Sequence, residues 1–165
     1  MKPADWITLA AVLIALLTLI TSSASAARAR VKTIEDAYVA RYWQILDRFP
    51  TEALVCMQGS TPLSEDSQGA VRLYPRLCED ELELRQLGWV GRRTWHQWHP
   101  GIEAQLKQWP VVDEWIPIRD GQRAPHQFEL LRQLAATPHY DPYRPTSLSR
   151  LARIWRQLQY SSCRS

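Results

Sequence analysis

Two histidines in one short run come closest, by type and spacing, to a metal site. His96 and His99 lie three positions apart, so on a helix they share one face, as a pair of metal ligands does. No cysteine or carboxylate stands at ligand spacing beside them, and a further ligand would have to come from a distant segment: Glu79–Glu83, His126 or His139. The pair His126 and Glu129 also shares a helical face, but in the reverse order of the pairs used by di-iron bundles. The candidate metal ligands are His96, His99, His126 and Glu129. The alternative is that these polar residues border an aromatic core, and no cofactor is predicted.

The acidic run Glu79–Glu83 is the second place where the residue types suggest chemistry. It offers either a general acid or, together with His96 and His99, part of a metal-dependent site. Acids in the first turns of a helix also stabilise the positive end of the helix dipole without any ligand. We favour the helix-dipole interpretation and expect this run to lie on a solvated face of the helix. The neighbouring carboxylates should raise the pKa of the Cys78 thiol and suppress its nucleophilic form.

No sequence motif points to a particular enzyme class. The chain contains none of the glycine-rich phosphate-binding patterns, no nucleophile elbow and no zinc-finger spacing. Whether the protein is an enzyme stays open at this point, although the absence of these motifs makes a non-enzymatic role the stronger expectation. The remaining alternative to a binding role is a membrane-tethered metal-dependent enzyme or sensor.

Tryptophan is over-represented, with eight residues in a chain of 165. The segment from Trp89 to Trp98 mixes these rings with arginines, and tryptophan and arginine are the residues that most often dominate protein interfaces. The alternative is that the rings are core residues with cation–π packing. The candidate interaction surface consists of Arg92, Arg93, Trp95 and Trp98.

An uncharged stretch, residues 6–27, has the length and composition of a transmembrane helix. Basic residues follow it closely at Arg28, Arg30 and Lys32, whereas the single basic residue before it, Lys2, is offset by Asp5. Because basic flanks stay in the cytoplasm, we expect residues 1–5 outside and the C-terminal bulk inside the inner (plasma) membrane.

A cleaved signal peptide is the alternative for the same stretch. The small residues Ala24-Ser25-Ala26 fit a cleavage site, and the protein would then be periplasmic or secreted. Against this, the three cysteines are scattered and odd in number, which is typical of free thiols in a reducing cytosol. The lipid bilayer is therefore one predicted partner and a protein of unknown identity the other. The net charge of +3, with basic residues dispersed among acids, gives no reason to expect nucleic-acid binding.

The rest of the sequence predicts a small all-α domain of about five short helices, so the fold class is mainly α. We divide it into a juxtamembrane linking helix (28–50), a helical soluble domain (51–141) and a basic amphipathic C-terminal helix and tail (142–165). Within the domain, the patterns predict a loop over 59–69, a helix from Leu73 capped by Gly88, a helix over 94–108 broken or kinked at Pro100, and a helix over 125–136. The last predicted helix covers 147–159. Only 111–112 and 115–118 carry short strand signals.

One block resembles a known pattern. It runs from Leu77 to Ile102, and its elements are Leu77-Cys78, the acids Glu79, Asp80 and Glu81, then Gly88, the pair Trp95 and Trp98, and Gly101-Ile102. This block resembles that of uncharacterised bacterial single-pass membrane proteins. The resemblance covers at most residues 31–136 and implies a helical cytoplasmic domain without implying any activity. Pro75, Pro100 and the basic sequence after Asp141 depart from the pattern.

These observations together predict a membrane-anchored protein whose cytoplasmic helical domain serves in protein–protein interaction or scaffolding. The candidate residues for this role lie in the tryptophan- and arginine-rich segment, and those for anchoring and orientation lie in and just after residues 6–27.

Overall fold

A computed structural model describes residues 3–55, 57, 59, 62–137 and 139–143. In these residues there are six helices and no strand, which confirms the mainly α fold with one long N-terminal helix. The helices are α1 (Pro3–Leu46), α2 (Thr51–Leu54), α3 (Glu65–Leu87), α4 (Arg92–Gln105), α5 (Val111–Arg119) and α6 (Glu129–Ala136). The described chain falls into two compact units, residues 3–33 and residues 34–143.

The first unit is the N-terminal part of α1. It belongs to a helix that is long and apolar enough to cross a membrane, with a mean hydropathy of 2.2 in its most apolar stretch, although a signal sequence near the N-terminus would have the same properties. Several of its hydroxyl groups bond within the helix: the Thr18 side chain donates to the Ile14 carbonyl at 2.8 Å, and the Ser23 side chain to the Leu19 carbonyl at 2.7 Å. The polar residues of this segment therefore add little to the cost of transfer into lipid.

The second unit is built around α3, which packs against α5 and α6. The end of α1 also belongs to it, because Ile45, Leu46 and Phe49 lie in its hydrophobic core. The core thus begins before residue 51. Its most deeply buried side chains are Tyr74, Leu77, Cys78, Leu82, Val90, Val111, Leu131 and Leu134.

Helix α3 begins earlier than the sequence indicated. The Ser64 hydroxyl caps it by accepting a hydrogen bond from the Ser67 N–H at 3.1 Å, and Glu65 and Asp66 stand in its first turn. The predicted loop over 59–69 is therefore wrong in its second half. Pro75 lies in the interior of the helix and not in its first turn, as the sequence suggested.

The predicted end of α3 at Gly88 is confirmed. Gly88 adopts a left-handed conformation with φ of 79°, which glycine reaches without steric cost. Its N–H bonds to the Arg85 carbonyl at 3.1 Å, and the Trp89 N–H bonds to the Leu84 carbonyl at 2.9 Å. This is the Schellman arrangement, and it turns the chain sharply from α3 into α4.

Three further predictions differ from the structure. Helix α4 continues through Pro100-Gly101, so it is not broken into two turns there. The strand candidates at 111–112 and 115–118 lie in α5, because tertiary packing of Trp115 and Ile118 in the core outweighs a weak local preference for strands. Helix α6 begins at Glu129 and not at 125, since Phe128 has φ of 59°. The helix predicted over 147–159 lies outside the described residues.

Candidate functional site

The candidate metal ligands are not brought together. His96 is exposed and its Nε2 accepts a hydrogen bond from Arg92 Nε at 3.3 Å, whereas His99 is buried one turn further along α4. His126 and Glu129 are both exposed. In the described part of the chain, no group of three or more histidine, cysteine or carboxylate side chains is placed to hold a metal ion.

His99 has a buried nitrogen without a hydrogen-bond partner among the described residues. Its Nε2 lies 3.7 Å from Glu103 Oε1, which is too far for a hydrogen bond, and its ring packs edge-on against Trp95 with the centroids 5.4 Å apart. Glu103 lines a groove of about 320 Å³ together with residues of α5 and α6. The groove carries charges of both signs at its rim, so its electrostatics select no particular ligand.

The acidic run lies in the middle of α3, and the prediction of a solvated helix face is wrong for Glu79 and Glu81, which are both buried. The Glu79 carboxylate accepts hydrogen bonds from the N–H groups of Leu130 at 3.1 Å and Leu131 at 2.8 Å. It therefore caps the first turn of α6 from a neighbouring helix. Burial raises the pKa of Glu79, and the two N–H groups oppose this only in part.

Glu81 lies in a buried cluster with Cys78, Tyr74 and Tyr42. Burial, and to a smaller extent the neighbouring Asp80, raises the pKa of Glu81 to about 8. Burial is also the main reason why the pKa of the Cys78 thiol lies well above its usual value, with Glu81 adding to the effect. The predicted direction for Cys78 is confirmed, but the carboxylates are the smaller cause. Because this cluster is inside the core, it serves the fold and offers no substrate a way in.

The predicted interaction surface is only partly at the surface. Arg92 and Arg93 are exposed, but Trp95 is only 2% exposed and belongs to the core, so its assignment to the surface is wrong. Trp98 is partly buried and packs against the same core. Trp98 can therefore contribute only a small area to a partner-binding surface.

Two large apolar side chains that were missing from the predicted surface are exposed at the same place. Leu87 is 60% exposed and Trp89 is 40% exposed, one on each side of Gly88. The αL turn at Gly88 is the signal that could have revealed them, since a sharp turn leaves its flanking side chains outside the core. We call Leu87, Trp89, Arg92 and Arg93 the α3–α4 edge.

The buried side chain of Arg85 forms hydrogen bonds that fix the backbone of the α3–α4 edge. Arg85 Nη1 donates to the Val90 carbonyl at 2.9 Å. Its Nε and Nη2 donate to the two carboxylate oxygens of Asp141 at 2.8 and 2.6 Å, and the Tyr143 ring covers the guanidinium with its centroid 4.9 Å from Cζ. Burial would raise the pKa of Asp141, but the hydrogen bonds from Arg85 and from the Tyr143 N–H outweigh it and lower that pKa.

The carboxylate of Glu35, on α1, also fixes the backbone of the α3–α4 edge. Glu35 Oε1 accepts a hydrogen bond from the Gly91 N–H, at the start of α4, at 2.9 Å. The backbone between the two ends of the edge is thus bonded both to Arg85 and to Glu35. A surface whose backbone is fixed in this way loses little conformational entropy when a partner binds.

The basic residues predicted to follow the membrane segment, Arg28, Arg30 and Lys32, are all exposed on α1. They belong to the first unit and carry no part of the α3–α4 edge.

Comparison with known proteins adds no family to these observations. No family model, no characterised protein and no solved structure matches this chain.

Proposed function

We propose that the protein is a membrane-anchored interaction module that binds an acidic partner protein through the α3–α4 edge. Residues 6–27 would serve as the anchor, the N-terminus would lie outside, and the helical domain would lie at the cytoplasmic face of the inner membrane. This proposal agrees with the resemblance to uncharacterised bacterial single-pass membrane proteins, which likewise suggests a helical cytoplasmic domain.

The exposed apolar surface of α1 supports the anchor. Ile7, Ile14 and Leu17 are each more than half exposed, and apolar groups left in water cost roughly 25 cal/mol for each Å². A lipid environment removes that cost. The basic residues Arg28 and Arg30 favour retention of the following domain in the cytoplasm.

The composition of the α3–α4 edge is the observation that carries the interaction role. Leu87 and Trp89 offer apolar contact area at the surface, and the exposed Arg92 and Arg93 follow them closely in the chain. In the described residues neither arginine forms a salt bridge, and Arg92 Nε donates to His96 Nε2. Two unneutralised guanidinium groups next to a tryptophan match a partner that presents carboxylates around an apolar side chain.

Site-specific photo-cross-linking in intact cells tests this role. A photoreactive amino acid at position 89 should give a discrete cross-linked product, whereas the same amino acid at position 73 should not. Leu73 is a matched control because it is 42% exposed, close to the 40% of Trp89, but lies earlier on α3.

Charge reversal at Arg92→Glu and Arg93→Glu should remove the product from position 89 while the helical circular dichroism stays unchanged, since both side chains are exposed. Equal labelling from positions 89 and 73, or labelling that survives the charge reversal, would contradict the proposal.

A further inference from the structure

A buried carboxyl group lies where the end of α1 meets α3. Residues 34–46, which we call the α1 arm, belong to the second unit. Arg41 of the arm forms an ion pair with Asp80 on α3, with 3.5 Å between Nη1 and Oδ2. Glu81 follows Asp80 directly and is only 5% exposed. The α1 arm therefore contacts the turn of α3 that contains Glu81.

No cation neutralises Glu81 in the described residues. The other titratable groups around it come from both helices: Tyr74, Cys78 and Asp80 on α3, and Tyr38 and Tyr42 on the arm. Arg41 and Arg76 both pair with Asp80, and none of the ion pairs in the described chain includes Glu81. A charged Glu81 would therefore be buried without compensation, which is costly, whereas an uncharged one suits these neighbours.

The α1 arm is attached to the domain less extensively than α5 and α6. Among the described helices, α3 packs most extensively against α5 and α6, and no pair that includes α1 reaches the same extent. Side chains hold the arm: the Tyr42 ring lies 6.4 Å from the Tyr74 ring, and Ile45 and Leu46 lie in the core. An element attached in this way can open while the rest of the domain stays folded.

The α1 arm also carries the carboxylate that fixes the α3–α4 edge. Glu35 Oε1 accepts a hydrogen bond from the Gly91 N–H at 2.9 Å, and Glu35 lies two turns before Tyr42 on the same helix. Movement of the arm away from α3 therefore breaks the bond between α1 and the backbone of the edge.

We propose that the charge on Glu81 controls the position of the α1 arm and, through Glu35, the backbone of the α3–α4 edge. While Glu81 is uncharged, the arm stays on α3 and Gly91 is fixed. When Glu81 gives its proton to water, the arm leaves α3, the carboxylate becomes hydrated, and the less ordered edge binds the acidic partner more weakly. The effect on the partner rests on the proposed function, whereas the release of the arm does not.

The direction of the pH dependence follows from the state that binds the proton more tightly. The pKa of Glu81 is raised by burial to about 8 with the arm in place and is near 4.5 in water, so low pH favours the closed arm. Between pH 5 and 7 each pH unit should favour the released arm about tenfold, and the effect should level off above pH 8. Burial holds the pKa of Cys78 and that of Tyr74 well above their usual values, so neither group titrates in this range.

Hydrogen exchange of the full chain in phosphatidylcholine nanodiscs at pH 6 and pH 8 tests the release of the arm. Glu81→Gln mimics the uncharged acid, and Glu83→Gln is the control because it removes a charge from an exposed position of α3. Comparison of the chains at the same pH cancels the direct effect of pH on exchange. The ratio of the rate in the unmodified chain to that in Glu81→Gln should rise more than tenfold from pH 6 to pH 8 at the amides of residues 38–46 and of Gly91.

Glu83→Gln should behave like the unmodified chain in this experiment. A ratio that does not change with pH would overturn the proposal. So would an equal change at the amides of α6, because Glu81 would then reach water only when the whole domain unfolds.

Photo-cross-linking from position 89, in cells whose internal pH is clamped at 6 or 8 with an ionophore, tests the consequence for the partner. The yield should fall several-fold from pH 6 to pH 8, and Glu81→Gln should remove most of this fall. Glu35→Ala should lower the yield at both pH values, because it removes the acceptor for the Gly91 N–H.

The outcomes separate this inference from the function on which its last step rests. An equal fall in yield with and without Glu81→Gln would overturn the control of the edge and leave the proposed function intact. Absence of any product from position 89 at either pH, together with the expected change in hydrogen exchange, would contradict the proposed function and support the release of the arm.

Discussion

Leucine and isoleucine occur in two opposite environments in this protein. In residues 6–27 they face outward: Ile7 is 71% exposed and Leu17 is 62% exposed. In residues 34–143 several of them form the core, and Leu77 and Leu82 have no exposed surface at all. The second unit also buries charged residues, namely Glu79, Glu81 and Arg85, whereas the apolar stretch of the first unit contains none.

The difference indicates that the two regions suit different surroundings. A helix that leaves its large apolar side chains uncovered is suited to lipid, because water would make this exposure costly. A domain that buries charged side chains must supply partners for them, and it does so for Glu79 through the Leu130 and Leu131 N–H groups and for Arg85 through Asp141. The following substitutions test this difference, first in residues 6–27 and then in the domain.

The largest effect is expected when charged residues are placed within residues 6–27. Leu13→Arg combined with Leu17→Arg places two cations in the centre of the apolar stretch, at a cost of about 2.5–3.5 kcal/mol each for membrane insertion. The amount of the double variant in the membrane fraction, measured by carbonate extraction and immunoblotting, should fall more than a hundredfold.

The same exchange at two exposed leucines of the domain, Leu73→Arg with Leu87→Arg, is the control and should leave membrane association unchanged. Retention of the Leu13→Arg, Leu17→Arg variant in carbonate-washed membranes would contradict a transmembrane role for the stretch.

The next effect compares a buried and an exposed leucine of α3. Leu82→Ala removes a completely buried side chain and should lower the free energy of unfolding by about 2–5 kcal/mol. Leu87→Ala changes a side chain that is 60% exposed and should cost less than about 1 kcal/mol. Denaturant titration of the full chain, followed by circular dichroism, measures both, and equal losses would show that the assignment of the core is wrong.

A smaller effect concerns the buried acid. The pKa of Glu81 is about 8 in the folded chain and near 4.5 in a solvated one, so the folded state holds its proton more tightly than the unfolded state does. The free energy of unfolding should therefore fall as pH rises from 5 to 7, by about 2–3 kcal/mol from this group.

Glu81→Gln should remove this part of the pH dependence, while Glu83→Gln on the exposed side of α3 should keep it. Denaturant titrations at several pH values give the slopes. An unaltered slope in Glu81→Gln would mean that the carboxyl group is solvated.

The smallest effect tests the cap of α6. Glu79→Ala removes both acceptors for the Leu130 and Leu131 N–H groups and should cost about 1–2 kcal/mol, the range of a lost helix cap. Hydrogen exchange should accelerate at the amides of these two residues more than in α4. Unchanged exchange there would show that the carboxylate does not cap the helix.

The sequence predicted the helices where the apolar spacing and the end signal were both local. The Gly88 cap and the uncharged residues 6–27 are of this kind. It failed where long-range packing decides: Pro75 lies inside α3 because the helix is capped earlier at Ser64, and the segment 111–118 is helical because Trp115 packs in the core.

The candidate site shows the same contrast between features set by local sequence and features set by long-range packing. Arg92 and Arg93 were identified from their types and lie at the surface, whereas Trp95 was assigned there and is buried. Periodicity alone does not tell which face of α4 packs into the core. The contacts of Glu79 with α6 and of Arg85 with Asp141 join residues more than fifty positions apart. No local sequence pattern predicts such pairs.

The orientation of the chain in the membrane is the claim on which the acidic partner, the reduced thiols and the cytoplasmic binding surface all depend. Protease treatment of intact spheroplasts, with immunodetection of a tag at the C-terminus of the full chain, tests it most directly. We predict that the tagged domain stays protected until the spheroplasts are lysed and is digested afterwards. Digestion in intact spheroplasts, or release of a soluble form whose mature N-terminus follows Ala26, would contradict the account.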